Sequence, residues 1–163
     1  LRDKVNNKIP ESSTIDKKNS NIFGTFNNTL SENFLINYNF SIDNNLKKLH
    51  YNSINSTFSL NNFVTTFNFV EENSVVGDTN TISNSTSYEI DENNFVTFQT
   101  RRNRKINLTE FYDLIYEYKN DCLTAGVKYR KTYYQDRELK PTENLLLTIS
   151  LVPLTTYEHK VDR

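Results

Sequence analysis

The 163-residue sequence has one cysteine, three glycines, three prolines and no methionine. A single cysteine cannot form a disulfide within the chain. Gly24, Gly77 and Gly126 lie far apart, so they form no glycine-rich phosphate-binding loop. His50 and His159 are isolated, and the single cysteine, Cys122, has no metal-binding partner at ligand spacing. We therefore expect no catalytic set, no metal site and no cofactor, and the chain is not predicted to be an enzyme.

Strong net charge and long apolar runs are also missing. The formal net charge is −1 at pH 7, which gives no electrostatic reason to expect a nucleic-acid partner. No apolar run approaches the roughly 18 residues of a membrane-spanning helix. The sequence begins without Met and without the charged-then-apolar pattern of a signal peptide. We expect it to be the later part of a longer protein.

What the sequence does contain is long two-residue alternation of apolar and polar side chains. Hydrophobic residues make up 36% and the mean hydropathy is −0.69, both low for a soluble globule. The 13% aromatic content and the alternation argue against disorder. Phe34, Ile36, Tyr38 and Phe40 give the clearest example. The low hydropathy fits a barrel with a polar interior, because only half of each strand then needs to be apolar.

The alternation predicts an all-β fold, an antiparallel meander of about nine long amphipathic strands with no helix. Residues 1–20 are predicted as an extracellular-type loop, 21–154 as the strand region and 155–163 as a polar tail. Several runs alternate for roughly ten to twelve residues, whereas strands of soluble proteins average about 5–6 and strands that cross a bilayer need about 9–11. The pattern therefore favours a segment of a transmembrane β-barrel.

The connections between the predicted strands differ in length at the two ends of the sheet. The connections at one end are short, and those at the other are longer and more charged. Short periplasmic turns and longer outer loops are typical of outer-membrane barrels. The short ones are predicted at 30–32, 61–62, 91–94 and 120–121. Two alternatives remain, a small outer-membrane pore or adhesin barrel and a soluble β-sandwich binding module with a tyrosine-rich inner face.

The strands 108–119 and 122–134 are predicted to form a hairpin with a two-residue turn at Asn120-Asp121. This register places Asp113 opposite Lys128 on the polar side, and Glu110 opposite Lys131 on the other side. The apolar side carries many tyrosines, which suit a membrane interface. The charged side chains predicted to face the lumen are Asp113, Glu117, Lys128 and Arg130.

Cys122 has two interpretations that the residues alone leave open. It follows the turn at the predicted periplasmic end, and its position in the alternation places its side chain on the polar side. A free cysteine is commonly a small buried hydrophobe. In an oxidising periplasm it would instead form a disulfide with a segment outside this chain.

The basic residues between 101 and 105 are a second open case. They are either a solvated loop or a contact for anionic sugar phosphates at the cell surface. They are Arg101, Arg102, Arg104 and Lys105.

One stretch resembles a known family. The run 111–127 (FYDLIYEYKNDCLTAGV) and the strand 145–151 resemble the C-terminal barrel of the LptD family, the lipopolysaccharide-assembly proteins of Gram-negative outer membranes. The similarity spans nearly the whole chain, is strongest over 109–153 and weakest over 45–95. Further similar positions are Arg2-Asp3, Ile9-Pro10, Phe23-Gly24, Tyr129, Tyr133-Tyr134, Asp136-Arg137 and Lys140-Pro141. The sequence departs from the family in having a single cysteine where a pair is common, and in its charged end, Glu158–Arg163.

The resemblance implies an open sheet, because about nine strands are too few for the family's barrel, and it implies a location and a function. The chain would belong to the outer-membrane translocon that inserts lipopolysaccharide into the outer leaflet. Its partners would be lipopolysaccharide, an LptE-like lipoprotein plug and an LptA-like periplasmic bridge. Cys122 would form a disulfide with an N-terminal cysteine. The last strand would line the seam through which the lipid leaves sideways, and its residues would be Leu145, Leu147, Ile149, Leu151 and Pro153.

Overall fold

A computed structural model describes residues 21–73, 78–136, 138–151 and 155–162, with only Glu158 and Lys160 described by side chain in the last range. Over these residues the chain forms one ten-stranded antiparallel sheet, and no helix. The first nine strands are those predicted from the alternation. The strands are β1 Ile22–Ser31, β2 Phe34–Ile42, β3 Leu49–Leu60, β4 Phe63–Asn73, β5 Asp78–Asp91, β6 Asn94–Asn103, β7 Leu108–Lys119, β8 Leu123–Thr132, β9 Thr142–Leu151 and β10 Thr155–Asp162.

The strands follow one another across the sheet in the order of the sequence. Among the described residues, β1 pairs with β2 alone and β10 pairs with β9 alone. The two ends of the sheet do not meet, so the sheet is not closed into a barrel. The prediction of an open antiparallel meander is confirmed.

The registers carry the alternation of each strand across to its neighbours, which gives the sheet two different faces. One row on the first face runs Gln99, Asp113, Arg130 and Asn144. We call this the polar face. The adjacent row on the opposite face runs Phe98, Leu114, Tyr129 and Leu145. We call this the apolar face, and no part of the described chain packs over it as a second layer.

The apolar face is accordingly open. The part of the chain that the structure describes has no buried hydrophobic side chain. Leu114 is 51% exposed and Ile149 is 46% exposed, although both lie within long strands. A sheet in water normally covers such a face with another layer, because exposed apolar area is unfavourable by about 25 cal/mol per Å².

Asparagines recur at the short connections and join each hairpin to the next. The backbone N–H of Ser59 donates to the carbonyl oxygen of Asn33 at 2.8 Å, and the N–H of Lys119 donates to that of Asn93 at 2.8 Å. The Asn93 side chain also donates to the Lys119 carbonyl at 2.7 Å. These bonds continue the strand ladder into the turns, so each of these turns is hydrogen-bonded to the next hairpin. The short connections are 32–33, 61–62, 92–93 and 120–122, and the longer ones at the opposite end include 43–48, 104–107 and 133–141.

The predicted register of the β7–β8 hairpin is wrong by two residues. Lys119 lies opposite Thr124, and Asp113 lies opposite Arg130 instead of Lys128. The cause is the Asn120 side chain, whose Oδ1 accepts from the backbone N–H groups of Cys122 at 3.0 Å and Leu123 at 2.8 Å, and so widens the turn. Because the shift is even, each side chain stays on its predicted face.

The predicted pair of Glu110 and Lys131 is also wrong. Glu110 lies at a bulge in β7 and its Oε2 pairs with the Nε of Arg101 at 2.9 Å. Lys131 lies opposite Tyr112, and its Nζ pairs with Glu143 Oε1 of β9 at 2.9 Å.

The expectation of a polar tail over 155–163 is corrected by β10, which pairs with β9 from Leu151↔Thr155 to Asn144↔Asp162. The strand that contains Leu145–Leu151 is therefore not the last one. Pro153 and the loop at 1–20 lie outside the described residues.

Candidate functional site on the polar face

Hydrogen bonds between neighbouring strands link the side chains of the polar face. Thr25 Oγ1 donates to Asn39 Oδ1 at 2.9 Å, and the hydroxyls of Ser87 and Thr97 lie 2.8 Å apart. Asn55 donates to Asn68 in the same manner. The polar face of β1–β6 thus carries mainly Asn, Ser and Thr side chains, with Glu72, Glu89 and Arg101 toward the ends of β4, β5 and β6. The charge is concentrated farther along, on β7 to β10.

Asp113 is the centre of that charge. Its side chain is fully buried, at 0% exposure, although it lies on a single-layer sheet. Arg130 covers it with a bidentate pair, Nε to Oδ1 at 2.6 Å and Nη2 to Oδ2 at 2.6 Å. Lys128 Nζ reaches Oδ2 at 3.0 Å. Two cations on the neighbouring strand therefore shield one carboxylate from solvent.

The guanidinium of Arg130 is fixed from a second direction. Its central carbon lies 4.6 Å from the centroid of the Phe111 ring, within the range of a cation–π interaction. Phe111 lies two residues before Asp113 on the polar face of β7. A carboxylate at one edge and an aromatic ring at the face leave the long arginine side chain little rotational freedom.

A cleft of about 300 Å³ opens beside this cluster, lined by Lys128, Arg130, Asn144, Leu146 and Lys160. The register explains the grouping. Lys128 lies opposite Leu146, and Leu146 lies opposite Lys160, so one row crosses β8, β9 and β10. Arg130 and Asn144 form the next row. In this cleft the apolar side chain of Leu146 thus lies between Lys128 on β8 and Lys160 on β10.

The predicted lumen-facing charges lie on the polar face, and the structure brings three of them together. Asp113, Lys128 and Arg130 form the cluster. Glu117 lies farther toward the short turn and lines a smaller cavity of about 140 Å³ with Lys128 and Thr148. Asn144, Leu146 and Lys160 are not predicted from the sequence, whereas the predicted hairpin register places Phe111 opposite Arg130 on this face. The alternation of Tyr157 and Val161 with Glu158 and Lys160 is the signal that would have identified the last strand.

The residues predicted to line the seam for lipid exit lie along one side of β9. Leu145, Leu147, Ile149 and Leu151 alternate on the apolar face and are all exposed. Since β10 follows, β9 has a paired neighbour on each side. Their role in a lateral exit stays a prediction.

Cys122 is exposed and its thiol is free within the described residues. It lies in the turn, not on β8, so the predicted alternation does not extend to it. The buried interpretation is excluded, because the side chain lies at the surface of the short-turn end. A disulfide to a segment outside this chain stays a prediction.

The basic residues near 101–105 have partners within the sheet. Arg101 pairs with Glu110, Arg102 donates to Asn107, and Lys105 pairs with Asp78. The Arg104 guanidinium lies 5.7 Å from the Phe69 ring centroid. These interactions account for the four basic residues as structural contacts at the end of the sheet that carries the longer connections.

Among the described residues, no group of three or more His, Cys, Asp and Glu side chains is placed to hold a metal ion. The described part of the chain has no helix long and apolar enough to span a membrane. Comparisons with protein-family models, with curated proteins and with solved structures found no match to this chain.

Proposed function

We propose that this chain is a segment of a transmembrane β-barrel in a Gram-negative outer membrane, and that the barrel takes part in lipopolysaccharide assembly. The observation that carries the proposal is the uncovered apolar face. It extends across the sheet with large aromatic and aliphatic side chains exposed, and no described segment covers it. Lipid is the environment that suits one apolar and one polar face on the same long strands.

Strand length supports the same environment. The strands β3 and β7 have 12 residues each and β5 has 14. A tilted strand needs about 9–11 residues to cross a bilayer. Short connections lie at one end of the sheet, which is the arrangement that periplasmic turns require. Tyr112, Tyr116 and Tyr129 are partly exposed on the apolar face, and their amphipathic rings suit a membrane interface.

The lipopolysaccharide part of the proposal rests on the resemblance over 109–153. Lipopolysaccharide would meet the polar face, with an LptE-like plug and an LptA-like bridge as the protein partners. A disulfide from Cys122 would hold the lipid-delivering part of the protein beneath the short-turn end. Lateral exit would also involve β10, which pairs with β9. Such transport needs no covalent chemistry.

The membrane arrangement is tested with Leu114 and Ile115, which are adjacent in β7 but lie on opposite faces. Each is replaced by cysteine in a Cys122→Ser background and labelled with a nitroxide after reconstitution in lipid vesicles. Oxygen, which concentrates in lipid, should relax the label in Leu114→Cys, and a water-soluble nickel complex should relax the label in Ile115→Cys. Equal access of the nickel complex to both sites would contradict the proposal. So would a monomeric chain that stays soluble without detergent, which would support a soluble β-sandwich.

The lipid is tested by photo-crosslinking in cells that make lipopolysaccharide. A benzophenone amino acid replaces Ile115 on the polar face, or Leu114 as the matched control on the apolar face. We expect lipopolysaccharide to be captured from position 115 and phospholipid from position 114. Capture of phospholipid alone at both positions would contradict a lipopolysaccharide path while leaving membrane insertion intact.

A further inference from the structure

Arg102 and Arg104 differ from the other basic residues at the end of the sheet that carries the longer connections. Arg102 donates through Nη2 to the neutral Oδ1 of Asn107, and the Arg104 guanidinium lies 5.7 Å from the centroid of the Phe69 ring. Among the described residues, neither arginine forms an ion pair with a carboxylate. Both residues are exposed. Each guanidinium therefore keeps N–H donors that a ligand can reach.

The register places both arginines at the edge of the apolar face. Arg102 lies opposite Ile82, and Ile82 lies opposite Phe69, so one row of this face crosses β6, β5 and β4. The backbone N–H of Arg104 donates to the carbonyl oxygen of Asn80 at 2.7 Å, which extends the ladder just beyond β6. Two residues along a strand span roughly 7 Å, so the two long side chains can converge on one anion.

The carboxylates of β4 and β5 that lie on this face at the same end are Glu71 and Asp78, and both have other partners. Asn52 donates to Glu71 Oε2 at 2.8 Å, and Asn80 donates to Glu71 Oε1 at 3.1 Å. Asp78 pairs with Lys105. With Lys105, the two arginines make three cations beside two carboxylates, so one positive charge remains at this corner of the apolar face.

We infer that Arg102 and Arg104 bind the phosphate group of a membrane lipid whose acyl chains lie along the apolar face. This inference rests on the proposed function, because it needs that face to meet lipid. The guanidinium fork matches two phosphate oxygens. Phe67 and Phe98 lie on the same face toward the middle of their strands and are 40% and 39% exposed, so they offer a surface for hydrocarbon.

The height of the arginines along the strands fits a lipid headgroup. β6 ends at Asn103, so Arg102 and Arg104 lie where a membrane-crossing strand leaves the hydrocarbon core. The exposed phenylalanines lie on the hydrocarbon side of that boundary. A lipid meets both parts of this surface at once, whereas a free phosphate would meet the arginines alone.

The test is a competition between two lipids for the full chain in detergent micelles. Phosphatidic acid and phosphatidylcholine with the same acyl chains are added at equal concentration, and native mass spectrometry measures the ratio in which the chain retains them. Arg102→Gln should lower the ratio of phosphatidic acid to phosphatidylcholine about fivefold, the effect of one cation near a charged membrane surface. Arg104→Gln should act in the same direction. Circular dichroism of each variant checks that the sheet is intact.

Arg101→Gln is the matched control. Arg101 precedes Arg102 in β6, lies on the polar face and pairs with Glu110, so this variant removes the same charge from the opposite face. It should retain the two lipids in the ratio of the unaltered chain. An equal fall for Arg101→Gln and Arg102→Gln would overturn the inference, because the effect would then come from net charge alone. An unchanged ratio in both Arg102→Gln and Arg104→Gln would overturn it as well.

A third ligand separates the lipid from its phosphate. Glycerol 3-phosphate has the phosphate group without acyl chains and should be retained far less than phosphatidic acid. Equal retention of the two, or no preference of the unaltered chain for phosphatidic acid, would overturn the inference. The nitroxide labels on Leu114→Cys and Ile115→Cys report independently whether the apolar face meets lipid, so failure here is distinguishable from failure of the proposed function.

Discussion

Asp113 should contribute more to the stability of the sheet than any other carboxylate on the polar face. Asp113→Asn keeps the shape of the side chain but removes its charge. It leaves Arg130 and Lys128 side by side without the anion that holds them. Like charges on adjacent groups then repel each other, and the amide cannot accept the bidentate pair as the carboxylate does.

The magnitude follows from the contacts. Breaking a buried ion pair by removing one partner costs about 3–5 kcal/mol, and a hydrogen bond to a charged group is worth about 1.5–3 kcal/mol. Both cations are partly exposed, so water replaces some of the lost interaction. We therefore expect the free energy of unfolding to fall by about 2–3 kcal/mol, at or just below the lower end of the buried-pair range.

The assay is urea unfolding of the full chain in detergent micelles, followed by circular dichroism. Glu117→Gln is the matched control, because Glu117 lies on the same face of β7 and forms no ion pair within the described residues. A double-mutant cycle of Asp113→Asn with Arg130→Gln should give a coupling free energy above about 1 kcal/mol. A loss below about 0.5 kcal/mol for Asp113→Asn, or simple additivity in the cycle, would refute the reasoning.

Three further predictions concern single positions. Gly24→Ala should lower the free energy of unfolding by about 1 kcal/mol, because the added methyl group would overlap the Phe40 ring. Gly126→Ala should not destabilise the chain, because its methyl group would meet only ordinary contacts. Equal losses for the two variants in urea titrations would contradict this prediction. Leu46→Gly should raise the free energy of unfolding by up to about 1 kcal/mol, because Leu46 is 65% exposed and has a left-handed φ of 58°; a lower urea midpoint would refute it. Cys122→Ser in the full-length protein should leave the sheet folded and impair lipid delivery unless a second disulfide compensates; complete reaction of Cys122 with a thiol reagent in unreduced cells would instead show that the thiol is free.

The strands could be predicted because their signal is local. The run 108–119 repeats Tyr112, Leu114, Tyr116 and Tyr118 at two-residue spacing, and its predicted bounds are those of β7. The partner of each residue could not be predicted as securely, because register depends on the turn. Asn120-Asp121 fits a two-residue turn by composition. The Asn120 side chain instead accepts two backbone N–H groups and includes Cys122 in the turn.

The candidate site was predictable only in part for the same reason. The two-residue alternation places Asp113, Lys128 and Arg130 on one face, and a register shift of two residues leaves each side chain on the same face. The burial of Asp113 requires Arg130 directly opposite, which the predicted register did not give. The cleft also needs Lys160, whose strand has few large apolar residues and was interpreted as a tail. The predicted register already places Phe111 opposite Arg130; the shift by two residues moves Phe111 opposite Thr132, and its ring still lies beside the Arg130 guanidinium.

The sequential order of the strands gives this sheet the connectivity of a one-dimensional polymer. Within the described part of the chain, each strand pairs only with the strands immediately before and after it, so no pairing there skips over another strand. The entropy of closing a loop between distant segments, which slows the folding of many β proteins, is therefore small at each step. The sheet can grow by adding one hairpin at a time, because each added strand pairs with a strand that has already formed. Removing a strand at either end would shorten the sheet without changing the register of those that remain.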